Sequence, residues 1–195
     1  MNGWNASTSQ RGGLRRWLQA SGSLSARLAA SGDVFSVQVL AQGRQALSAD
    51  EAKALGASAQ RVGYAREVLL RVDGRPMVLA RSVTAHAHSV GAWRSVRGLG
   101  ARPLADVLFK RSGISRKPLA FSGLKRQSPV QRHVAQSWQA ATGTSLTAQT
   151  LSARRSVFTR RGAALLVMEV FAASADSWKC PSGTSMKSSK RKGKP

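Results

Sequence analysis

The clearest indication of secondary structure in the chain is "RVGYAREVLLRVDGRPMVLARSVTA", residues 61–85. Two runs rich in strand-forming residues flank the dipeptide Asp73-Gly74. Asp-Gly between such runs is a strong signal for a two-residue β-hairpin turn. The sequence therefore predicts an antiparallel hairpin near the middle of the chain.

A second hairpin is expected in "SARRSVFTRRGAALLVMEVFAA", residues 152–173, with its turn near Arg161-Gly162. The returning strand is apolar on both faces except for Glu169. Such a strand is typically central and covered on both sides. Counting back across the turn places Arg154 opposite Glu169.

The segments before the first hairpin predict two helices, a strand pair and a third helix. "LRRWLQASGSLSARLAAS", residues 14–31, reads as two short helices with a turn between them. "VFSVQVLAQGRQAL", residues 34–47, alternates well enough to predict two strands around Gln42-Gly43. Ser48 and Glu51, three residues apart, have the spacing of a helix capping box.

Residues 125–148 are polar and weakly periodic, so we expect a partly helical excursion from the sheet. The pattern of the whole chain predicts an α+β fold, a single antiparallel β-sheet with helices packed against it. Residues 1–12 are expected to be a flexible N-terminus, and residues 179–195 a disordered basic tail. Residues 13–178 then form one domain.

The composition bounds the possible partners and the compartment. The chain has 31 basic and 8 acidic residues, a net charge of +23, which favours anionic partners. Outside the tail the arginines are dispersed, so a solvated cationic surface is more plausible than a nucleic-acid footprint. With Cys180 as its one cysteine, no secretory signal in residues 1–30 and no long apolar run, the chain is expected to be soluble and cytoplasmic.

Two arginines of the first hairpin carry charge on an apolar face. Arg66 shares its face of the strand with Tyr64 and Val68. Counting outward from Asp73-Gly74 puts Arg66 directly opposite Arg81, and like charges in that position are destabilising. An anion bound between the two guanidinium groups would balance their charges and remove the repulsion. The alternatives are a face solvated at that end, or a different turn length that breaks the pairing.

Glu169 also calls for a partner, because a buried carboxylate must be paired, hydrogen-bonded or protonated. It could form a plain internal salt bridge with Arg154, or serve as a general acid or base kept dry for a substrate. The position alone leaves both alternatives open. His86 and His88 could bind a metal, but no cluster of Cys, Asp or Glu joins them, and His133 stands alone.

Three separated blocks resemble the chorismate lyase family in order and spacing. They are "YAREVLLRVDGRPMVLARSV" at 64–83, "RGLGARPLADVLF" at 97–109, and "ARRSVF" with "LLVMEVF" at 153–158 and 165–171. The resemblance covers about residues 14–174. It implies a chorismate-lyase-like catalytic domain over 13–178 and the conversion of chorismate to 4-hydroxybenzoate and pyruvate for ubiquinone biosynthesis. It also implies that no cofactor and no metal is required, and we expect a monomer.

The resemblance also implies a site. Arg66 would bind the ring carboxylate, Glu169 would meet the ring hydroxyl, and Leu24 and Leu104 would contribute backbone contacts. From the hairpin register we add Arg81 as the expected ligand of the enolpyruvyl carboxylate. Two rival functions stay open. The same fold is similar to effector-sensing domains of bacterial transcription regulators, so the pocket could only sense an aromatic acid; the charge could instead mark a nucleic-acid-binding protein.

Overall fold

The computed structural model of the chain describes residues 3–57, 62–109, 112–146 and 150–179. These residues form one seven-stranded sheet with strand order β1-β2-β3-β7-β6-β4, in which β5 also pairs with β6, and every pairing is antiparallel. The predicted α+β class with a single antiparallel sheet is confirmed. The strands are β1 (Phe35–Ala46), β2 (Val62–Val72), β3 (Arg75–Ala85), β4 (Ile114–Arg116), β5 (Ala120–Lys125), β6 (Thr150–Arg160) and β7 (Ala163–Phe171). The helices are α1 (Gly12–Gln19), α2 (Leu24–Ala29), α3 (Ala49–Ala54), α4 (His86–Val90), α5 (Arg94–Arg97), α6 (Ala105–Leu108) and α7 (Pro129–Thr142), and a 3₁₀ helix follows the last strand (Ala173–Ser177).

Both predicted hairpins are present, and their turns have the same backbone conformation. Asp73 and Gly74 have φ of 50° and 75°, and Arg161 and Gly162 also have 50° and 75°. Positive φ at both central residues matches the right-handed twist of the flanking strands, which is why Gly is needed there. Glu169 pairs with Arg154 across the second hairpin, as predicted.

The strand pair expected around Gln42-Gly43 is wrong, because β1 is one continuous strand. Each residue from Gln42 to Ala46 has a partner on β2, and Gly43 pairs with Ala65. The long neighbouring strand offers hydrogen bonds along the whole of residues 35–46, so the chain has no reason to turn back. A register shift between Val39 and Ala41 takes up the irregularity.

The predicted register of the first hairpin is also wrong, by one residue. Arg66 pairs with Ser82, and Arg81 pairs with Glu67. The shift occurs beside Pro76, which has no N–H to donate to the ladder. There Met77 is left out of the β2–β3 pairing, and its carbonyl accepts from the Ala172 N–H instead. A one-residue bulge moves every later side chain of β3 to the other face, so Arg66 and Arg81 lie on opposite faces of the sheet.

Helices cover both faces of the sheet. On the Arg66 face, α1 and α2 pack at one end and α4 to α6 at the other, while α7 packs on the opposite face. The excursion predicted at 125–148 is therefore mainly α7, which begins at a Ser128 cap and ends at Gly143 with φ of 70°. It lies on the face away from Arg66, so it is not a lid over that side. Residues 147–149 lie outside the described residues.

The predictions for the two ends of the chain, a flexible N-terminus and a disordered basic tail, are both left untested by the structure. Asn5 exchanges backbone hydrogen bonds with Phe121 at 2.9 and 2.8 Å, and the Trp4 indole N–H donates to Asp50 at 3.1 Å. These contacts tie residues 4 and 5 to the domain, and the flexibility expected for 1–12 stays a prediction. The expected basic tail lies outside the described residues from Cys180 onward. None of the described helices is long and apolar enough to cross a membrane.

Candidate active site

A cavity lies between the Arg66 face of the sheet and the helices that cover it. It encloses about 650 Å³, including its opening to solvent. We call it the active-site cavity. Its floor is made of small side chains from the central strands, Ala80, Ser82, Val167 and Ser156. Four of the five predicted site residues line it: Leu24, Arg66, Leu104 and Glu169.

Arg66 is a buried cation without an acidic partner among the described residues. It is 2% exposed. Its Nη2 donates to the carbonyl oxygens of Gly100 at 2.7 Å and Arg102 at 3.0 Å, whereas its Nε is buried and has no acceptor. Burial lowers the pKa of Arg66, and Tyr64 raises it by a smaller amount. An anion is expected to bind favourably beside a buried guanidinium that has no acidic partner, because it balances the buried charge.

The two hydrogen bonds of Arg66 also position the loop that closes the cavity. The carbonyls of Gly100 and Arg102 belong to the glycine-bounded segment between α5 and α6. Leu104 follows this segment directly and precedes α6. The same side chain that can hold an anion therefore fixes the loop that brings Leu104 to the cavity.

Leu24 and Leu104 both lie at the start of a short helix. Leu24 is the first residue of α2, whose N-cap Ser23 accepts from the Ala26 N–H, and Leu104 is the N-cap residue of α6. Backbone N–H groups in the first turn of a helix have no intrahelical acceptor. Both positions can therefore offer N–H donors to a ligand in the cavity.

Glu169 reaches the cavity from β7 with one oxygen already bound. Its Oε2 accepts from Arg154 Nε at 2.5 Å, and its side chain is 16% exposed. The other oxygen, Oε1, accepts no hydrogen bond from any described residue. The two alternatives left open by the sequence are thus compatible, since the carboxylate is paired with Arg154 and also lines the cavity.

Arg154 explains how the carboxylate is held still. It is 1% exposed, and its Nη1 donates to the carbonyls of Trp17, Leu18 and Ala20 at the end of α1, at 3.1, 3.1 and 2.8 Å. A cation at a helix C-terminus satisfies the last carbonyls and opposes the helix dipole. Arg154 thereby joins α1 to the sheet and orients Glu169.

Arg81, predicted to face the same cavity, points to the other side of the sheet. It is 8% exposed and donates to Glu51 at 2.7 Å and Gln45 at 2.8 Å, with Glu67 at 3.7 Å. The capping box predicted at Ser48 and Glu51 is present, so Glu51 both caps α3 and pairs with Arg81. Arg81 lines a second cavity of about 920 Å³, including its opening, which we call the opposite-face cavity. The bulge beside Pro76 is the reason for this correction.

Comparison with known proteins gives the family. A family model described as chorismate lyase matches residues 4–179. The chain belongs to the chorismate lyase family. A probable chorismate pyruvate-lyase of Albidiferax ferrireducens is 62% identical over 178 residues, covering 91% of this chain and 90% of the relative. One of Aromatoleum aromaticum is 44% identical and covers 81% and 83%.

A solved structure of low sequence identity shares the fold. PhnF from Mycobacterium smegmatis aligns with a TM-score of 0.57 over 85% of this chain and 70% of its own. The two sequences are 14% identical. At that identity the similarity concerns the fold alone.

In this chorismate lyase family member, a buried acid next to Arg66 was not among the predicted site residues. Glu67 is 2% exposed and lies 2.6 Å from His133 Nε2, the histidine that stands alone in the sequence. Burial tends to raise the pKa of Glu67, but the hydrogen bonds from His133 and Ser137 and the charges of His133 and Arg81 together outweigh it and lower that pKa. The bond to Glu67 raises the pKa of His133. The only signal was the acid among apolar residues in "YAREVLL".

Arg116 was not predicted either, and it lines the active-site cavity from β4. Burial lowers the pKa of Arg116, the positive charge of Arg154 lowers it further, and Glu169 raises it. A three-residue strand carries too little periodicity for its faces to be assigned, so no sequence signal pointed to this residue. As for metals, His86 and His88 lie in α4, and no group of three or more His, Cys, Asp or Glu occurs in the described part of the chain.

Proposed function

We propose that the chain is a chorismate pyruvate-lyase that converts chorismate to 4-hydroxybenzoate and pyruvate in the active-site cavity. One observation carries the proposal. A buried guanidinium without an acid, Arg66, and a carboxylate with a free oxygen, Glu169, line one cavity in a member of the chorismate lyase family. The product would supply ubiquinone biosynthesis, as the family resemblance implies.

Arg66 binds the ring carboxylate in this proposal. Its unpartnered Nε and its burial make it the strongest attraction for an anion on that side of the cavity. The N–H groups of Leu24 and Leu104 contribute further donors. Glu169 Oε1 accepts from the ring hydroxyl, while Arg154 keeps Oε2 in place.

The reaction is an elimination that forms an aromatic ring. The ring carbon that bears the hydroxyl loses its proton, and the electron pair of that C–H bond forms a ring double bond. The adjacent C–O bond breaks, and enolpyruvate leaves and takes up a proton to become pyruvate. Aromaticity supplies much of the driving force, so the protein contributes positioning, charge neutralisation and proton transfer near Glu169.

Such chemistry requires neither metal nor organic cofactor from the protein. We also propose that the chain acts as a monomer. A cytoplasmic location belongs to the same proposal. Chorismate is a charged metabolite, so the enzyme is expected to act in the compartment where chorismate is made.

The proposal is tested by mixing purified protein with chorismate and measuring pyruvate and 4-hydroxybenzoate. We expect equal amounts of both from the wild-type protein. Glu169→Gln should lower kcat about a hundredfold or more, because the amide carries no negative charge and cannot take up a proton in the elimination. Asp33→Asn, which changes an exposed acid that does not line the cavity, is the matched control and should leave kcat unchanged.

Two results would contradict parts of this proposal. Absence of pyruvate with the wild-type protein, together with tight binding of 4-hydroxybenzoate, would favour the rival function of an aromatic-acid sensor. Full turnover by the folded Glu169→Gln variant would remove Glu169 from the chemistry while leaving the lyase function intact.

A further inference from the structure

The active-site cavity contains a second arginine, Arg116, with unused hydrogen-bonding capacity. Its guanidinium donates through Nη1 to the Gly22 carbonyl at 3.3 Å, a long contact. Its Nε is buried and has no acceptor. None of the ion pairs among the described residues includes Arg116. A buried donor without an acceptor lowers stability unless a ligand accepts a hydrogen bond from it.

Aromatic rings hold this guanidinium in a fixed position. Its central carbon lies 5.1 Å from the centre of the Phe158 ring and 5.9 Å from that of Phe109, and both rings also line the cavity. Cation–π contacts of this kind orient an arginine without using its N–H donors. The donors of Arg116 therefore stay available to a ligand.

The sheet places Arg116 and Arg66 on opposite sides of the cavity. Arg66 comes from β2 and Arg116 from β4, and the three strands between them, β3, β7 and β6, form the floor. Glu169 belongs to one of these middle strands, and the charges of Glu169 and Arg154 both act on Arg116. The cavity thus has one cation on the β2 side and another on the side where Glu169 and Arg154 meet.

We propose that Arg116 binds the enolpyruvyl carboxylate of chorismate, the second negative charge of the substrate. This inference rests on the proposed function. Chorismate bears its enolpyruvyl ether on the ring carbon next to the one that carries the hydroxyl. If Arg66 holds the ring carboxylate and Glu169 the hydroxyl, the second carboxylate comes to the Glu169 side, where Arg116 lies. Arg116 takes the role that the wrong register had given to Arg81.

The test compares two aromatic ligands that differ in one carboxylate. The probes are 3-(carboxymethoxy)-4-hydroxybenzoate and 3-ethoxy-4-hydroxybenzoate, titrated by calorimetry into the full-length wild-type chain and Arg116→Gln. We expect Arg116→Gln to weaken the first probe about ten- to hundredfold and the second by less than about threefold. Arg66→Gln should weaken both, and Arg132→Gln, an exposed arginine of α7, should weaken neither.

Equal weakening of both probes by Arg116→Gln, or no weakening of either, would overturn the inference. If Arg116→Gln fails to fold, Arg116→Lys keeps the charge but loses the planar fork, and it should still weaken the carboxymethoxy probe selectively. Neither probe can lose an enolpyruvyl group, so the titration judges Arg116 even if the wild-type protein releases no pyruvate. That separate result would overturn the proposed function alone.

Discussion

Each face of the sheet carries a cavity lined by two arginines, and among the described residues only those of the opposite-face cavity both pair with an acid. In the opposite-face cavity, Arg81 pairs with Glu51 and approaches Glu67, and Arg155 pairs with Asp50 at 2.6 Å. Three of the 8 acidic residues of the chain are used there. In the active-site cavity, Arg66 and Arg116 have no acidic partner among the described residues.

The presence or absence of an acidic partner distinguishes arginines that stabilise the fold from arginines that can bind an anionic ligand. A buried cation whose charge is balanced needs nothing further, whereas an unbalanced one lowers stability until an anion arrives. In a chain so poor in acids, the allocation of carboxylates is informative. Among the described residues, Glu169 is the one carboxylate lining the active-site cavity, and Arg154 already binds one of its oxygens.

The largest expected effect comes from removing Arg66. Arg66→Gln should weaken 4-hydroxybenzoate binding by about a hundredfold or more, because a charge-assisted contact in a dry site is lost. Its folding stability should change less, since the charge had no acid to pair with. Calorimetric titration and urea unfolding of the same variant measure both quantities. Binding that survives while stability collapses would show that Arg66 serves only to hold its loop.

Arg81→Met should show the reverse behaviour. The variant leaves Glu67 and Glu51 without their shared cation, which should cost about 3 kcal/mol of unfolding free energy. KM for chorismate should stay within about twofold of wild type. Arg155→Met is the matched control, because its partner Asp50 is 42% exposed and such a pair contributes about 1 kcal/mol or less. A large rise in KM with Arg81→Met would return Arg81 to the substrate.

The sequence predicts those features of the structure that are set by residues close together in the chain. Both hairpin turns could be predicted, because two residues set the φ angles that a two-residue hairpin needs. The pairing of Arg154 with Glu169 followed by counting from such a turn. The same counting failed for Arg81, because Pro76 lies inside the strand and creates a bulge that turn residues do not encode.

The rest of the site depends on contacts between distant segments. Arg116 belongs to a strand of three residues, and its cavity-facing direction follows from pairing with Phe158 on β6. Glu67 and His133 are 66 residues apart and meet because α7 packs over the sheet. No local pattern specifies either arrangement. The residues implied by the family resemblance, Arg66, Glu169, Leu24 and Leu104, all line one cavity, and their roles stay predictions.

The smallest expected effect is a pH dependence confined to the opposite face. The bond to Glu67 raises the pKa of His133 above its usual 6.5, with Arg81 opposing and Glu51 reinforcing the shift. A raised pKa in the folded state stabilises fully below the unfolded pKa and is lost as pH rises through the folded one. Unfolding free energy should therefore decline as pH rises from about 6.5, only slightly, because His133 is half exposed and solvent screens its charge. His133→Gln should remove that decline without changing 4-hydroxybenzoate affinity, as measured by urea unfolding at a series of pH values. An unchanged decline in His133→Gln would assign the titration to another group.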